Sequence, residues 1–274
     1  MERLSDREAL ASWRNSIPVR ESVGFVPTMG ALHAGHEALV RRCRSECACS
    51  VVSIFLNPMQ FDQPEDLRRY PRDLEGDCRL LERLGVSAVY LPAEADLYPP
   101  GFDTRIRPGE AGEGFEGRFR PGHFEGVLTV VCKLFQRVRP QRAYFGEKDA
   151  QQLFLVRRMT LDLDLPVRIV ACPTVREEDG LALSSRNRRL DPEARRRAAV
   201  LPQACRAARE ACGRGEHSPR RLEAAMLAVF REAGVEPEYA AVVDDDRFLP
   251  AAEEGAGPLR AVAAATIGGV RLID

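Results

Sequence analysis

The sequence predicts an α/β fold: a Rossmann-like parallel sheet with helices on both faces, joined to a smaller C-terminal α+β domain. Three observations carry this. Short apolar runs of strand length alternate with stretches of helical period up to Pro173, and repeated β-then-α order is the signature of a parallel sheet covered by helices. With 274 residues, 45% hydrophobic and 30% charged, the chain is long enough to bury one large or two smaller cores. After Pro173 the texture changes to Arg- and Ala-rich helix followed by short strand candidates.

In chain order, strands are predicted at 23–26, 51–55, 88–91, 143–145 and 167–171, with helices between them at 37–45, 74–84, 127–137 and 150–161. The strands are apolar at successive positions, as in Val23-Gly24-Phe25-Val26, which is how strands buried on both faces read. Pro27 is expected to stop the first of them. The helices carry apolar residues at helical spacing, as Leu39, Val40 and Cys43 do. Beyond Pro173, helices are expected at 192–212 and 219–233, strands near 239–243 and 261–267, and a surface turn at 253–258. These elements divide the chain into a larger domain, 1–174, and a smaller one, 175–274.

Charge and composition narrow the function. A net charge of −1, with basic residues spread along the chain, argues against a nucleic-acid partner, and the Arg-rich run at 186–197 could meet phosphates or be a solvated helix face, the commoner case for such runs. No stretch approaches the roughly 20 apolar residues of a membrane span, and the N-terminal segment lacks a signal-peptide core, so a cytoplasmic protein without a membrane partner is expected. The 8 cysteines are scattered, mostly within apolar runs, which suits buried reduced thiols. Among 40 basic residues only Lys133 and Lys148 are lysine, a bias that directs attention to places where a compact ammonium is required.

Polar loops follow three of the predicted strands, at the carboxyl ends where ligands of such sheets bind. The stretch PTMGALHAGH holds two of the 4 histidines, His33 and His36, at a spacing that puts both on one face of a helical turn. A zinc site would need a third ligand, and no partner of suitable spacing follows. The segment reads strand, turn, helix, so free N–H groups at the helix start, Gly30 and Gly35 for close backbone approach, and two imidazoles together suit an anion. In NPMQF, Asn57 and Gln60 can each donate and accept, as recognition of a hydroxyl beside a carboxylate requires, although an Asx-Pro turn with a solvated glutamine also explains them. In FGEKD, Asp149 and Gln152 match the N-cap and N3 of a capping box. Lys148 has no such structural reason, because a cation at a helix start opposes the dipole unless an anion joins it, although a freely solvated lysine also explains it, since the effect is small at exposed sites. Ser184, Ser185 and Arg186 lie in a further polar loop, with hydroxyls and a guanidinium suited to phosphate oxygens.

In order along the chain, PTMGALHAGH, SIFLNPMQF, RPGHFEGVLTVV, FGEKDAQQ, PTVREEDGLALSSRN and the terminal RLID resemble the pantothenate synthetase (pantoate–β-alanine ligase) family, within the nucleotidyltransferase superfamily marked by His-x-Gly-His. The resemblance covers nearly the whole chain. It implies a dimeric, two-domain subunit that joins pantoate to β-alanine using ATP and Mg²⁺ and releases AMP and diphosphate by way of a pantoyl adenylate. Carried over position by position, it implies that Met29, Gly30, Ala31, Leu32, His33, Ala34, Gly35 and His36 line the ATP site with Gly146, Glu147, Lys148 and Asp149. Val175, Leu183, Ser184, Ser185 and Arg186 would complete that site, the smaller domain closing over it. His33, His36 and Lys148 would act on the phosphates, with His36 as proton donor. Gln60 and Gln152 would hold pantoate, and Gln60 would also face β-alanine. Arg120 and His123 look like loop residues near the pocket, and no residue is assigned to the metal. Leu183 stands where many relatives carry methionine, a volume-conserving change. Two rival functions remain: a relative that transfers the nucleotide permanently to another small acceptor, which leaves Gln60 and Gln152 without a hydroxy acid to hold, and a catalytically silent nucleotide-binding protein, against which the intact motif set argues.

Overall fold

A computed structural model describes residues 1–62, 64–253 and 257–274. The turn expected at 253–258 therefore lies in part outside the described residues. The chain forms two compact units, Met1–Pro173 and Thr174–Asp274.

In the first unit, strands β1 (Glu2–Leu4), β2 (Val23–Thr28), β3 (Cys49–Ile54), β4 (Ala88–Tyr90), β5 (Arg142–Gly146) and β6 (Arg168–Cys172) form one parallel sheet in the order β1-β4-β3-β2-β5-β6. Alternate side chains of strands β2 to β6 enter different cores. Phe25, Val51, Tyr90 and Phe145 pack with Trp13, Val127 and Leu153 from the helices Arg7–Ser16, His123–Val138 and Ala150–Asp162. Val26, Val52, Val89 and Tyr144 pack with Val40, Cys43 and Leu81 from the helices Ala34–Glu46 and Leu74–Arg83. A sheet covered on both faces needs apolar residues at successive positions, so these strands carry continuous apolar runs.

Strand β1 and the helix Arg7–Ser16 are absent from the sequence-based expectations. That helix buries only Leu10 and Trp13, too few apolar residues to show a period. Its one local signal is Asp6, whose carboxylate accepts from Ala9 N at 2.8 Å as an N-cap.

The expectation that Pro27 ends its strand is corrected: β2 continues to Thr28, and Pro27 pairs with Ser53 of β3. Thr28 O accepts from Phe55 N on the β3 side, so strand alternation turns the Pro27 nitrogen toward β5. Proline has no N–H to give there. The β2–β5 ladder stops at Phe25–Ala143, whereas β2–β3 runs on to Thr28–Ile54. The chain also reverses direction at this place, stepping from β2 to β3 and β4 on one side and then crossing to β5 and β6 on the other. An open topological switch point is where ligands of such sheets bind.

The second unit is a four-stranded antiparallel sheet, β10-β9-β7-β8, built from β7 (Tyr239–Asp244), β8 (Leu249–Pro250), β9 (Leu259–Ile267) and β10 (Val270–Ile273). It shares a core with the helices Val200–Gly213 and Pro219–Glu232. The single helix expected at 192–212 is two, Pro192–Arg197 and Val200–Gly213. Pro202 cannot donate to Ala198 O, which instead accepts from Leu201 N at 3.2 Å in a tighter turn. The terminal Asp274 is held by Arg176 through paired contacts of 2.5 and 2.6 Å. Among the described residues no helix is long and apolar enough to cross a membrane.

Candidate active site

The helix Ala34–Glu46 is started by its own histidines. His33 is the N-cap and His36 is N3, and each ring accepts from a backbone N–H of the turn: His33 Nδ1 accepts from Gly35 N at 3.1 Å and His36 Nδ1 accepts from His33 N at 3.4 Å. An Nδ1 that accepts leaves the proton of a neutral ring on Nε2. Both rings, with centroids 4.2 Å apart, are thereby set as Nε2–H donors. Desolvation, then the neighbouring His33, holds His36 well below its ordinary pKa; the Asp149 carboxylate opposes the shift and the Lys148 ammonium adds to it. His36 is therefore neutral around pH 7, and it feels the charges of the loop that follows β5.

Most of the N–H groups expected to be free at this turn are engaged within the fold. Ala31 N and Leu32 N each donate at 2.8 Å to the buried Asp77 carboxylate, and His33 N and Gly35 N are taken by the rings. Gly35 also has a reason other than phosphate approach. A Cβ there would lie 2.8 Å from His33 Cε1, so glycine lets the capping ring fold over the turn.

The NPMQF loop forms a 3-10 turn, Pro58–Gln60, whose N-cap Asn57 accepts from Met59 N, as the Asx-turn alternative required. Asn57 is 1% exposed and fully engaged: its Nδ2 donates to Gln60 Oε1 at 3.1 Å and Gly126 O at 3.0 Å, and Tyr98 OH donates to its Oδ1 at 2.8 Å. Its polar atoms are engaged within the fold, where they aim Gln60. Gln60 is buried rather than solvated, and its Nε2 contacts Met29 Sδ, which ties this loop to the first.

Arg120 and His123 hold the same glutamine from behind. His123 Nδ1 donates to Gln60 O at 2.8 Å, while its Nε2 lies 3.1 Å from Arg120 Nη1, which fixes the neutral tautomer. Burial, then the Arg120 charge, pushes His123 down to about 4. Above pH 6.5 the ring is neutral folded or unfolded and its contribution is intact. Between 6.5 and about 4 the unfolded chain takes up a proton that the folded one refuses, so this residue's contribution to stability is lost progressively as pH falls through that window. His123→Asn, which keeps a donor for Gln60 O, is expected to flatten that decline when urea midpoints are compared at about pH 7, 6 and 5.

After β5 a 3-10 turn, Glu147–Asp149, runs straight into the helix Ala150–Asp162. The capping box expected from Asp149 and Gln152 is corrected. Asp149 sits at φ −91°, ψ 61° and makes no side-chain cap, since its carboxylate lies 3.4 Å from Lys148 Nζ. Lys148 is only 18% exposed. The chain's other lysine, Lys133, lies 4.4 Å from the Phe102 ring centroid and 5.9 Å from that of Tyr98, a packing role that separates the two. The adjacent glutamines divide similarly. Gln151 is buried and bonded to Ala111 O, Gly114 O and Glu116 N, whereas the half-buried Gln152 has no side-chain hydrogen bond among the described residues.

In the second unit, Leu183 N donates to Val175 O at 2.9 Å across a hairpin turned at Gly180. Ser184 caps the 3-10 turn Ser185–Arg189 by accepting from Arg186 N at 3.2 Å. Val175, Leu183, Ser184, Ser185 and Arg186 are thus one structural group.

A family model described as pantoate–β-alanine ligase matches residues 2–274. This chain belongs to that family. It is 50% identical over 266 residues to the pantothenate synthetase of Thermus thermophilus, covering 97% of this chain and 96% of the relative, and 51% identical over 276 residues to that of Rubrobacter xylanophilus, covering 98% and 94%. A crystal structure of the Thermus thermophilus pantothenate synthetase aligns with a TM-score of 0.93 at 49% identity, over 100% of this chain and 98% of that one. A pantoate–β-alanine ligase from Francisella tularensis, complexed with β,γ-ATP and β-alanine, aligns with a TM-score of 0.82 at 36% identity, over 100% and 96%. Three residues that organise the site in this member of the ligase family are not among the site residues expected from sequence: Asp77, which lies outside the quoted motifs, and Gln151 and Gly126, which lie within FGEKDAQQ and RPGHFEGVLTVV. Asp77 and Gln151 act on loops distant in sequence. Gly126 does carry a signal, a lone glycine inside an apolar helix, which usually has a packing reason.

Proposed function

We propose that this protein condenses pantoate with β-alanine at the expense of ATP, through a pantoyl adenylate, releasing AMP and diphosphate. The observation that carries the mechanism is the open switch point between β2 and β5, flanked by two Nε2–H histidines and Lys148 and tied through Met29 to a buried Gln60. A carboxylate acylates amines poorly because oxide is a bad leaving group. The pantoate carboxylate therefore attacks the α-phosphorus, and diphosphate leaves. Charge grows on the phosphate oxygens, where His33 and His36 donate through Nε2–H and Lys148 supplies a positive charge. His36 acts here as a neutral donor whose proton is held at Nε2. Gln60 and Gln152 orient pantoate, and Gln60 also faces the incoming β-alanine. The amine then displaces AMP, and exclusion of water protects the adenylate. Val175, Leu183, Ser184, Ser185 and Arg186 are assigned to ATP binding as well, the hydroxyls and the guanidinium being suited to phosphate oxygens. Permanent nucleotide transfer to another acceptor leaves the buried, doubly supported Gln60 without a purpose.

Mg²⁺ belongs to this reading as the companion of ATP. Among the described residues no three His, Cys, Asp or Glu side chains gather as a cage. Magnesium commonly takes one or two carboxylates, substrate phosphates and water, and the half-exposed Asp149 beside Lys148 fits that requirement. The bound ion would neutralise part of the phosphate charge. A homodimer in the cytoplasm is the working state proposed.

Exchange of labelled diphosphate into ATP, without β-alanine, tests the mechanism. It is expected to require pantoate and Mg²⁺, because an acyl adenylate can be attacked by diphosphate in reverse. Active turnover with neither exchange nor adenylate in quenched mixtures would sink the proposal.

A further inference from the structure

The turn that leads into the histidine-capped helix has an unusual backbone. Gly30 and Ala31 both have positive φ, +84° and +52°, and for alanine the left-handed region carries a penalty. The next two features answer it. The N–H groups of Ala31 and Leu32 point at one carboxylate, that of Asp77, each oxygen taking one bond at 2.8 Å. Asp77 is 5% exposed and lies in the helix Leu74–Arg83, whose start is fixed by Asp73 accepting from Gly76 N at 2.9 Å. A Cβ on residue 30 would lie 3.0 Å from Asp77 Oδ2, so glycine there lets the carboxylate approach. Successive N–H groups around a left-handed residue make an anion nest. In this protein the nest is filled by an anion of its own.

We propose that Asp77 is a positioning residue for the nucleotide loop: by holding Ala31 N and Leu32 N it keeps Ala31 left-handed and so fixes the direction in which His33 and His36 present Nε2–H. The carboxylate touches no substrate. It acts through the two residues immediately before His33, whose extended backbone, φ −144° and ψ 177°, allows the ring to turn back onto Gly35 N. With the nest occupied, phosphate oxygens must be met by the rings and by Lys148 rather than by these N–H groups. The proposal rests on the functional reading above, and it separates two roles for acidic residues of this unit: Asp77 orders the apo loop, while Asp149 remains at the site.

The test is a double-mutant cycle of Asp77→Asn with Ala31→Gly, read by ATP affinity, pantoate affinity and diphosphate exchange in the full-length protein. Asparagine keeps the shape but opposes one of the two N–H groups with its own NH₂. Asp77→Asn is expected to lower ATP affinity and exchange by about 10- to 100-fold, the usual effect of removing a partner that orients a functional group. Pantoate affinity should stay within about twofold, because Gln60 has separate supports. The decisive result is in the second background. Glycine adopts positive φ without alanine's penalty, so Asp77→Asn should cost about fivefold less when residue 31 is glycine. Equal losses in both backgrounds, or pantoate affinity falling in step with ATP affinity, would overturn the proposal. Should Asp77→Asn not fold by itself, recovery of folded protein in the Ala31→Gly background supports it and failure to recover overturns it. Wild-type protein that binds ATP yet shows no exchange or turnover overturns the functional reading alone, since the cycle is then read from ATP affinity.

Discussion

Lys148→Ala is expected to slow adenylation by about 10²- to 10³-fold, the typical loss for one preorganised donor, while leaving the melting temperature nearly unchanged. Its ammonium meets the adjacent, half-exposed Asp149 carboxylate at the end of β5, outside the hydrophobic cores, so its removal opens no core cavity. His36 needs a more careful variant. His36→Ala deletes half of the reciprocal cap and should also lose about 1 kcal/mol of stability. His36→Asn can keep an acceptor for His33 N while removing the Nε2–H, so it should retain stability and still lose the roughly 10²- to 10³-fold in rate. Lys148→Arg distinguishes a compact charge from any charge, and a chain that elsewhere chooses arginine should fail with it here. Single-turnover adenylation measured beside thermal melts checks all four. Near wild-type rates in folded Lys148→Ala would remove Lys148 from the chemistry.

Gly126→Ala is expected to cost about 1–3 kcal/mol of stability and to weaken pantoate binding at least tenfold, or about 1.4 kcal/mol, with ATP binding less affected. The helix His123–Val138 meets the Pro58–Gln60 turn backbone to backbone at this point. An added Cβ would overlap the Met59 carbonyl and lie 2.7 Å from Gln60 N, and neither is the movable end of a side chain. Gly126 O is also one of the two acceptors of the Asn57 amide. Pushing the helix and the turn apart therefore disturbs the bond from Asn57 to Gln60 along with the packing. Calorimetric titration of pantoate into the folded variant decides the matter, and unchanged affinity would show that Gln60 does not depend on this contact.

The succession of strands and helices was legible because each carries its own period. Buried parallel strands must be apolar throughout, and the helices Leu74–Arg83 and Ala150–Asp162 begin where their spacing predicted. The edge elements were not, since β1 and the helix Arg7–Ser16 bury few side chains each. For the candidate site, the loops and the residue types were legible: HAGH, NPMQ and GEKD all follow strands in the first unit.

What the sequence by itself determined is the order of the interior strands and their covering helices, the family, and which polar residues stand at strand ends, because periodicity and motif spacing are local properties of the chain. Only the tertiary structure decided which of those polar groups serve one another. Asp149, a plausible cap by spacing, does not cap, and His33 and His36, plausible ligands by type, do. Asn57 is occupied by Gln60, Gly126 and Tyr98, and the turn's N–H groups are occupied by Asp77. A buried donor or acceptor must find a partner, and the nearest one in space is often far away in sequence. Local pattern therefore names the candidates, and the hydrogen bonds of the folded chain decide among them, spending the Nδ1 atoms of His33 and His36 on the helix start and the Asn57 amide on Gln60.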